Sequence, residues 1–241
     1  GAPLDAGVHN ADMLLYLMGS ANTVFAETAI NEPQRTLSPM SEVAPVLAEM
    51  YDHRKEVGYE DGDIVEQTAL DTAFGVIRFK SGAIGQLLMT DTSHGQSLGV
   101  STISGSTGTM YRPRSRSGES PRIVRNDGTE ITGDALLELV PDFELDDTIS
   151  ILWNGARRIS SYDMDFREID SKILAYEYLD MVHAAESGMQ PEVGPREGMY
   201  ALALAYALLE SGMSGLPVTV DDVVEGKSSA FQDEIDTEMG I

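Results

Sequence analysis

Between residues 68 and 153 the chain is a run of short β-forming segments broken by turns, and this rhythm constrains the fold more than any other feature. Residues 68–79 alternate apolar and polar and are rich in β-branched and aromatic side chains. Ser81-Gly82 is a turn signal, and residues 83–90 read as the return strand. Residues 99–104 form another strand candidate, followed by the tight turn Gly105-Ser106-Thr107-Gly108. Residues 110–111, 122–125, 130–131 and 148–153 are shorter candidates. Turns at roughly 8–12-residue spacing leave no room for crossover helices, so the sheet is an antiparallel meander and not a set of βαβ units.

Helices flank this region. Leu4, Val8, Ala11, Leu15 and Met18 recur at helical spacing in one apolar stripe, and Gly19 suits the helix end. An amphipathic helix at the first residues reads as part of something longer. Residues 23–30 read as a strand closed by Asn31 and Pro33. Residues 38–59 hold a short helical pattern (Val43, Val46, Leu47, Met50) and a charged loop, and 34–62 reads as an insertion over a sheet edge. Residues 165–187 form a long helix whose first turn carries Asp165 and Glu168, at the positive end of the helix dipole. A second helix, 196–211, is apolar nearly all round and calls for burial. A short strand at 216–220 follows, and 221–241 reads as an acidic extension. The fold class is α+β, with helices packed on one face of a large, predominantly antiparallel sheet. The other face carries apolar side chains from the 68–90 hairpin and is expected to meet a second subunit, in a homodimer or homotetramer.

Composition narrows the function. The 241 residues contain no cysteine, which excludes disulfides, thiolate metal sites and a thiol nucleophile. With 40 acidic and 16 basic residues the net charge is −24, which argues against nucleic-acid and anionic-membrane partners. Only four bases are lysines (Lys55, Lys80, Lys172, Lys227). Such a surface suits high salt, where counter-ions screen self-repulsion, so the chain reads as halophilic. No apolar run is long enough to span a bilayer and no basic leader is visible, which points to the cytoplasm.

Asp5, His9, Asp12 and Tyr16 stand at i, i+4, i+7 and i+11, on one polar stripe of the first helix. This stripe lies about 120° from the apolar one, so it can border a cleft. An imidazole there can take or give a proton near neutral pH, oriented by a carboxylate one turn earlier. Asp12 can accept hydrogen bonds from substrate hydroxyls. A solvated face with an ordinary i,i+4 ion pair has the same spacing.

Residues 3–19, with Asp5 and His9 spaced D-x-x-x-H and Asp12 beyond, resemble the start of the C-terminal domain in the glucose–fructose oxidoreductase / inositol dehydrogenase (Gfo/Idh/MocA) family. Residues 79–87 (FKSGAIGQL) resemble that family's F-x-N-G-A-x-G hairpin, and 103–110 (ISGSTGTM) its I-x-G-x-x-G-x-[LM] turn. Residues 178–188 and 197–218 resemble its terminal helix pair and S-G-x-P-V strand. The resemblance implies a dihydrodipicolinate-reductase-like C-terminal domain over 1–220, which supplies substrate contacts and the oligomer interface. It further implies an oxidoreductase using NAD or NADP on a sugar or polyol hydroxyl. His9 is then the acid/base group, Asp5 its partner, and Asp12 a substrate ligand. The chain has no G-x-G-x-x-G, not even G-x-G, so the family's Rossmann half is not in this sequence. A non-catalytic dimerising sugar-binding or scaffold domain of the same fold is the alternative, and redox-assisted elimination or epimerisation would use the same fold.

His94 follows the 83–90 strand, where family loops reach substrate; a simple loop histidine is the other reading. His53 and His183 read as structural or surface residues. Arg112, Arg114, Arg116, Arg122 and Arg125 form a basic island opposed only by Glu119. It could grip an anion or an acidic partner patch, though paired surface arginines are commoner. The scattered histidines offer no metal site.

Overall fold

The computed structural model describes residues 1–43, 48, 53–95 and 99–241. In chain order its elements begin with α1 (Ala2–Met18), β1 (Ala21–Ala29), β2 (Gln34–Thr36), α2 (Met40–Val43), α3 (His53–Glu56), β3 (Ile64–Glu66), β4 (Thr72–Phe79) and β5 (Ile84–Thr90). Then come β6 (Ser101–Gly105), β7 (Gly108–Arg112), β8 (Arg122–Arg125), β9 (Glu130–Thr132), a 3₁₀ helix (Gly133–Leu139), α4 (Asp147–Leu152) and α5 (Phe166–Ser187). The chain closes with α6 (Pro195–Ser214), β10 (Val218–Thr219), α7 (Val220–Val224) and α8 (Ala230–Met239). They fall into two compact units, Gly1–Gln96 with Val193–Ile241, and Ser97–Glu192.

The first unit is built on an antiparallel sheet in the order β10-β1-β4-β5, beside a two-stranded β2-β3 ribbon. Alternation along the strands sends Val24, Ala26, Ala73, Ile77, Phe79, Leu87 and Met89 to one face. There they form a single core with Ala11 of α1 and Ala203, Leu204, Ala207 and Leu208 of α6. The helix lies tight on the sheet: a Cβ on Gly75 would stand 2.1 Å from Leu208, and one on Gly212 2.3 Å from Thr28. Glycine inside a helix costs up to about 1 kcal/mol relative to alanine, and at Gly212 the close approach is what that cost permits. Ser211 ties the two layers: its Oγ accepts from the Ala26 N–H at 2.9 Å, where β1 runs past the end of β10, and donates to the Leu216 carbonyl at 2.7 Å.

The opposite face of this sheet carries Phe25, Phe74, Val76, Ile84 and Leu88, all exposed, with Phe74 54% and Ile84 64% accessible. Phe25 pairs across from Val76, and Phe74 from Leu88, so the apolar side chains form a contiguous patch. Helices on one face of an antiparallel sheet, as the alternation predicts, is therefore what the first unit shows.

In the second unit β6-β7-β8-β9 form a purely antiparallel meander, beside α4 and α5. The strands at 101–105, 108–112, 122–125 and 130–132 fall where the turn rhythm places them. Residues 148–153 do not: 148–152 lie in α4 and Trp153 follows its end, because the Asp146 carboxylate accepts from the Ile149 N–H at 2.8 Å and caps a helix. The strand expected at 216–220 is cut to two residues, since Thr219 caps Asp222 and turns Val220 into α7. The acidic end is helical too; buried Glu210 accepts from the Phe231 and Gln232 N–H groups and caps α8. Of the helical pattern expected at 43–50, Val46, Leu47 and Met50 lie outside the described residues, while 40–43 forms α2.

Candidate active site

α1 presents its core side through Pro3, Gly7 and Ala11, one turn apart, with Leu14, Leu15 and Met18 continuing the contact. This stripe is rotated by about one residue from Leu4, Val8, Ala11, Leu15 and Met18. Asp5, His9, Asp12 and Tyr16 consequently lie about 160° from the core side, almost opposite it. Asp5, His9 and Tyr16 are exposed and Asp12 is half-buried. Among the described residues no hydrogen bond joins Asp5 to His9; they stand on successive turns of the same face.

The start of α1 is anchored at the end of the sheet where β4 begins. A Cβ on Gly1 would fall 2.1 Å from the Leu70 carbonyl oxygen, and the Asn10 amide lies 3.7 Å from Met89 Sδ near the end of β5. The other end of α1 meets the hairpin, where Lys80 N–H donates to the Ser20 carbonyl. The N-terminal half of α1 and the exit of β5 therefore share one end of the sheet. That is also where His94 emerges.

A polar cluster closes this end. The core rows of β4 and β5 run out, by alternation, into Asp71 and Asp91. Asp71 is fully buried, and its carboxylate accepts from the backbone N–H groups of Asn31 and Glu32 at 2.9–3.0 Å. Arg35 donates to both oxygens of Asp91, at 3.0 and 2.6 Å, and stands 3.7 Å from Asp71 and 3.6 Å from Glu32. Glu32 in turn meets Nε2 of His94. Hydroxyls of Thr72, Thr90 and Thr92 join in a chain, and the Asn31 side chain donates to Thr72. Burial alone would push the Asp71 carboxyl up. The Asn31 and Glu32 N–H groups, the Thr72 hydroxyl and the Arg35 charge outweigh it and hold the group below the ordinary carboxylate range. The hydrogen bonds that Arg35 donates to Asp91 raise it further above its already high value, against the opposing effect of burial.

Of the four residues singled out by sequence, Asp5, His9 and Asp12 thus share one helix face, and His94 stands apart from them on the loop after β5. No hydrogen bond links the two groups among the described residues. Glu32, Arg35, Asp71 and Asp91 were invisible to spacing arguments; the only local signal was an aspartate at each outer end of the hairpin. The basic island is largely paired: Arg116 with Asp170 at 2.8 Å, Arg122 with Glu130 at 2.9 Å, and Arg112 with the Ser101 hydroxyl at 3.1 Å. His53 and His183 are exposed. Among the described residues no group of histidines and acids could hold a metal, and no helix is long and apolar enough to cross a membrane. Every strand pairing described is antiparallel, and the sequence holds no glycine-rich phosphate turn. These residues do not fit a dinucleotide pyrophosphate.

Comparison with known proteins agrees with this architecture. Residues 1–220 match the C-terminal alpha/beta domain of an oxidoreductase family, GFO_IDH_MocA_C. Among solved structures, levoglucosan dehydrogenase in complex with NADH and L-sorbose superposes with a TM-score of 0.63 at 20% identity, covering 92% of this chain and 51% of that one. An NAD-binding oxidoreductase from Klebsiella pneumoniae gives 0.61 at 20% identity, over 91% and 51%. An oxidoreductase from Agrobacterium radiobacter, in complex with NAD+, L-tartaric acid and magnesium, gives 0.55 at 16% identity, over 90% and 48%. At these identities the likeness is one of fold. The chain spans about half the length of these structures. No curated protein matches it.

Proposed function

The chain belongs to the Gfo/Idh/MocA oxidoreductase family, matching its C-terminal domain over residues 1–220, and from that premise we propose that it is the substrate-binding, acid/base and oligomerising part of an NAD- or NADP-dependent dehydrogenase acting on a sugar or polyol hydroxyl. The observation that carries this reading is the polar face of α1. It turns Asp5, His9 and Asp12 away from the core, at the end of the sheet where a second polar cluster stands. Removing hydrogen from a carbinol requires a base for the hydroxyl proton, and an exposed imidazole on a packed helix supplies one. His9 takes that proton, Asp5 stands beside it on the preceding turn as a further substrate ligand, and Asp12 accepts from a neighbouring hydroxyl. His94 offers a further hydroxyl contact from the β5 exit. The nicotinamide is assigned to no residue of this chain.

The partner reading rests on the uncovered sheet face. Phe25, Phe74, Val76, Ile84 and Leu88 make an apolar patch of the kind that marks an interface, and a second copy meeting it gives a homodimer or homotetramer. Wild-type protein should sediment as an oligomer and Val76→Glu as a smaller species; a wild-type monomer with this face solvated ends the idea. The same reading makes the enzyme cytoplasmic, where a soluble cofactor is recycled, and salt-adapted on the strength of its net charge of −24. Residues 1–220 would then be the working domain, with an insertion at 34–62 and an acidic extension at 221–241.

The alternative is a non-catalytic sugar-binding or scaffold domain of the same fold. The discriminating observation is the upstream reading frame, where a glycine-rich β–α turn within a domain of about 120 residues settles for the enzyme. In the full-length protein, screened against polyols and aldoses, His9→Ala should lower kcat by roughly 10²–10⁴-fold. Asp12→Ala should act mainly on KM. Wild-type turnover in His9→Ala overturns the assignment.

A further inference from the structure

The β5 exit carries a chain of four charged contacts that ends on His94. We propose that Glu32 is a positioning residue for His94, clamped by an Arg35 that Asp71 and Asp91 hold in place, so that the imidazole keeps its Nδ1 edge free for a substrate hydroxyl. This rests on the reading of His94 as a substrate contact and adds the device that orients it.

The chain is ordered from the inside outward. Asp71 is fully buried and stitches three segments: its carboxylate takes the N–H groups of Asn31 and Glu32, its own N–H donates to the Ala29 carbonyl, and its carbonyl accepts from Asp91 N–H at 3.2 Å. The exit of β1, the entry of β4 and the exit of β5 are thereby fixed to one another. Arg35 then spans the gap between them. Its planar fork engages Asp91 through two hydrogen bonds, which sets the orientation of the guanidinium as well as its place. Glu32 is held at both ends, by its backbone N–H on Asp71 and by its carboxylate beside Arg35 Nε at 3.6 Å. His94 has 77% of its side chain exposed and sits on a loop, yet its Nε2 is engaged by Glu32.

An exposed loop histidine would otherwise sample several rotamers and both tautomers. A carboxylate accepting from Nε2–H selects one tautomer and leaves Nδ1 as the acceptor. Immobilisation in advance of binding removes an entropy cost that the substrate would otherwise meet, so the effect belongs in KM. Two features separate this from a surface ion pair that happens to form. The carboxylate is itself anchored through the main chain to a buried group, and the guanidinium that flanks it is turned by two other carboxylates.

The test uses the full-length protein and two readouts. Long-range ¹H–¹⁵N imidazole spectra should show His94 as a single Nε2–H tautomer in the wild type, a mixture in Glu32→Ala, and a restored single form in Glu32→Gln, whose amide oxygen can still accept. On a turned-over polyol or aldose, Glu32→Ala should raise KM about tenfold with kcat within threefold. His94→Ala should do the same, and the double variant should be no worse than His94→Ala alone. An unchanged His94 tautomer in Glu32→Ala overturns the proposal, as does a double variant whose KM rise is the product of the single ones. If His94→Ala leaves KM unchanged while His9→Ala abolishes turnover, positioning falls and the dehydrogenase reading stands. If neither histidine matters but the tautomer responds, the geometry holds and that reading fails.

Discussion

The two four-stranded sheets of this molecule are alike in size and in their antiparallel pairing, and unlike in strand order and in what holds them. In the first unit, β1, β4 and β5 bury Val24, Ala26, Ala73, Ile77, Phe79, Leu87 and Met89 beneath α6 and α1. In the second unit no residue of β6, β7, β8 or β9 is buried. Its strands hold together through ladder hydrogen bonds and polar pairs at their surface, such as Arg122 with Glu130 and with the Tyr111 ring. The lesson is that antiparallel pairing shapes both sheets, while buried side chains of the strands themselves anchor only the first. The candidate site draws on the anchored sheet, where a catalytic constellation gains from rigid support.

The largest expected effect tests that contrast directly. Leu208 is fully buried against Gly75, and Leu208→Ala should cost about 2–5 kcal/mol by the usual scale of a buried leucine truncation. Ile123 of β8 is only half-buried, so Ile123→Ala should cost well under the low end of that range. Urea unfolding of both variants decides it, and equal losses would erase the distinction. Amide hydrogen exchange sharpens it: Val24 and Ile77 should exchange near the global unfolding limit, and Met110 and Ile123 faster.

Acid should attack the first unit through Asp71. Its carboxyl is held below the ordinary range in the folded chain, so its contribution is fully present above the unfolded value of about 3.9 and fades as pH falls through the lower folded value. The stability gap between wild type and Asp71→Asn should be constant above about pH 5 and close below it. A gap independent of pH to the acid limit would show that Asp71 acts only by shape.

The anchored sheet was largely legible before the structure, and the reason is locality. The hairpin at 72–90 declares itself because alternation and the Gly82 turn, at φ +90°, lie within a few residues of each other. The polar stripe of α1 is legible for the same reason, although its core side had to be corrected by one residue, since Pro3 and Gly7 carry little apolar weight but pack closest. α4 misled because Ile149, Ile151 and Trp153 alternate as a strand would, and six residues are too few to display a helical period; the deciding feature was the Asp146 cap. The cluster of Glu32, Arg35, Asp71 and Asp91 left only the two aspartates flanking the hairpin as a local trace. It joins residues up to 59 positions apart in sequence, and no local period links them.

Salt should separate the units by charge. Residues 97–192 hold 9 of the 16 bases and 17 of the 40 acids, leaving −8 there and −16 on the remainder. Screening relieves like-charge repulsion, so molar KCl should raise the melting temperature by several degrees, with exchange protection growing more in the first unit. A melting curve unchanged between dilute buffer and molar salt removes the halophilic reading. Protection that grows more in the second unit would leave net charge unable to explain it.

The smallest expected effect lies in the second sheet itself. Arg122 stands 4.3 Å from the Tyr111 ring centre, directly across the β7–β8 ladder, and also meets Glu130 at 2.9 Å. An exposed cation–π pair contributes about 0.5–1 kcal/mol, and a surface salt bridge no more. A double-mutant cycle on Arg122→Ala and Tyr111→Ala should therefore return a coupling of about 0.5–1 kcal/mol. In an anchored sheet a term of that size would be lost beneath apolar burial. Here it should slow amide exchange at Met110 and Ile123 by a measurable factor, because these strands have little else to lose. Zero coupling would mean that the ladder alone holds the meander, and a coupling well above 1 kcal/mol would mean that its surface pairs are shielded from water.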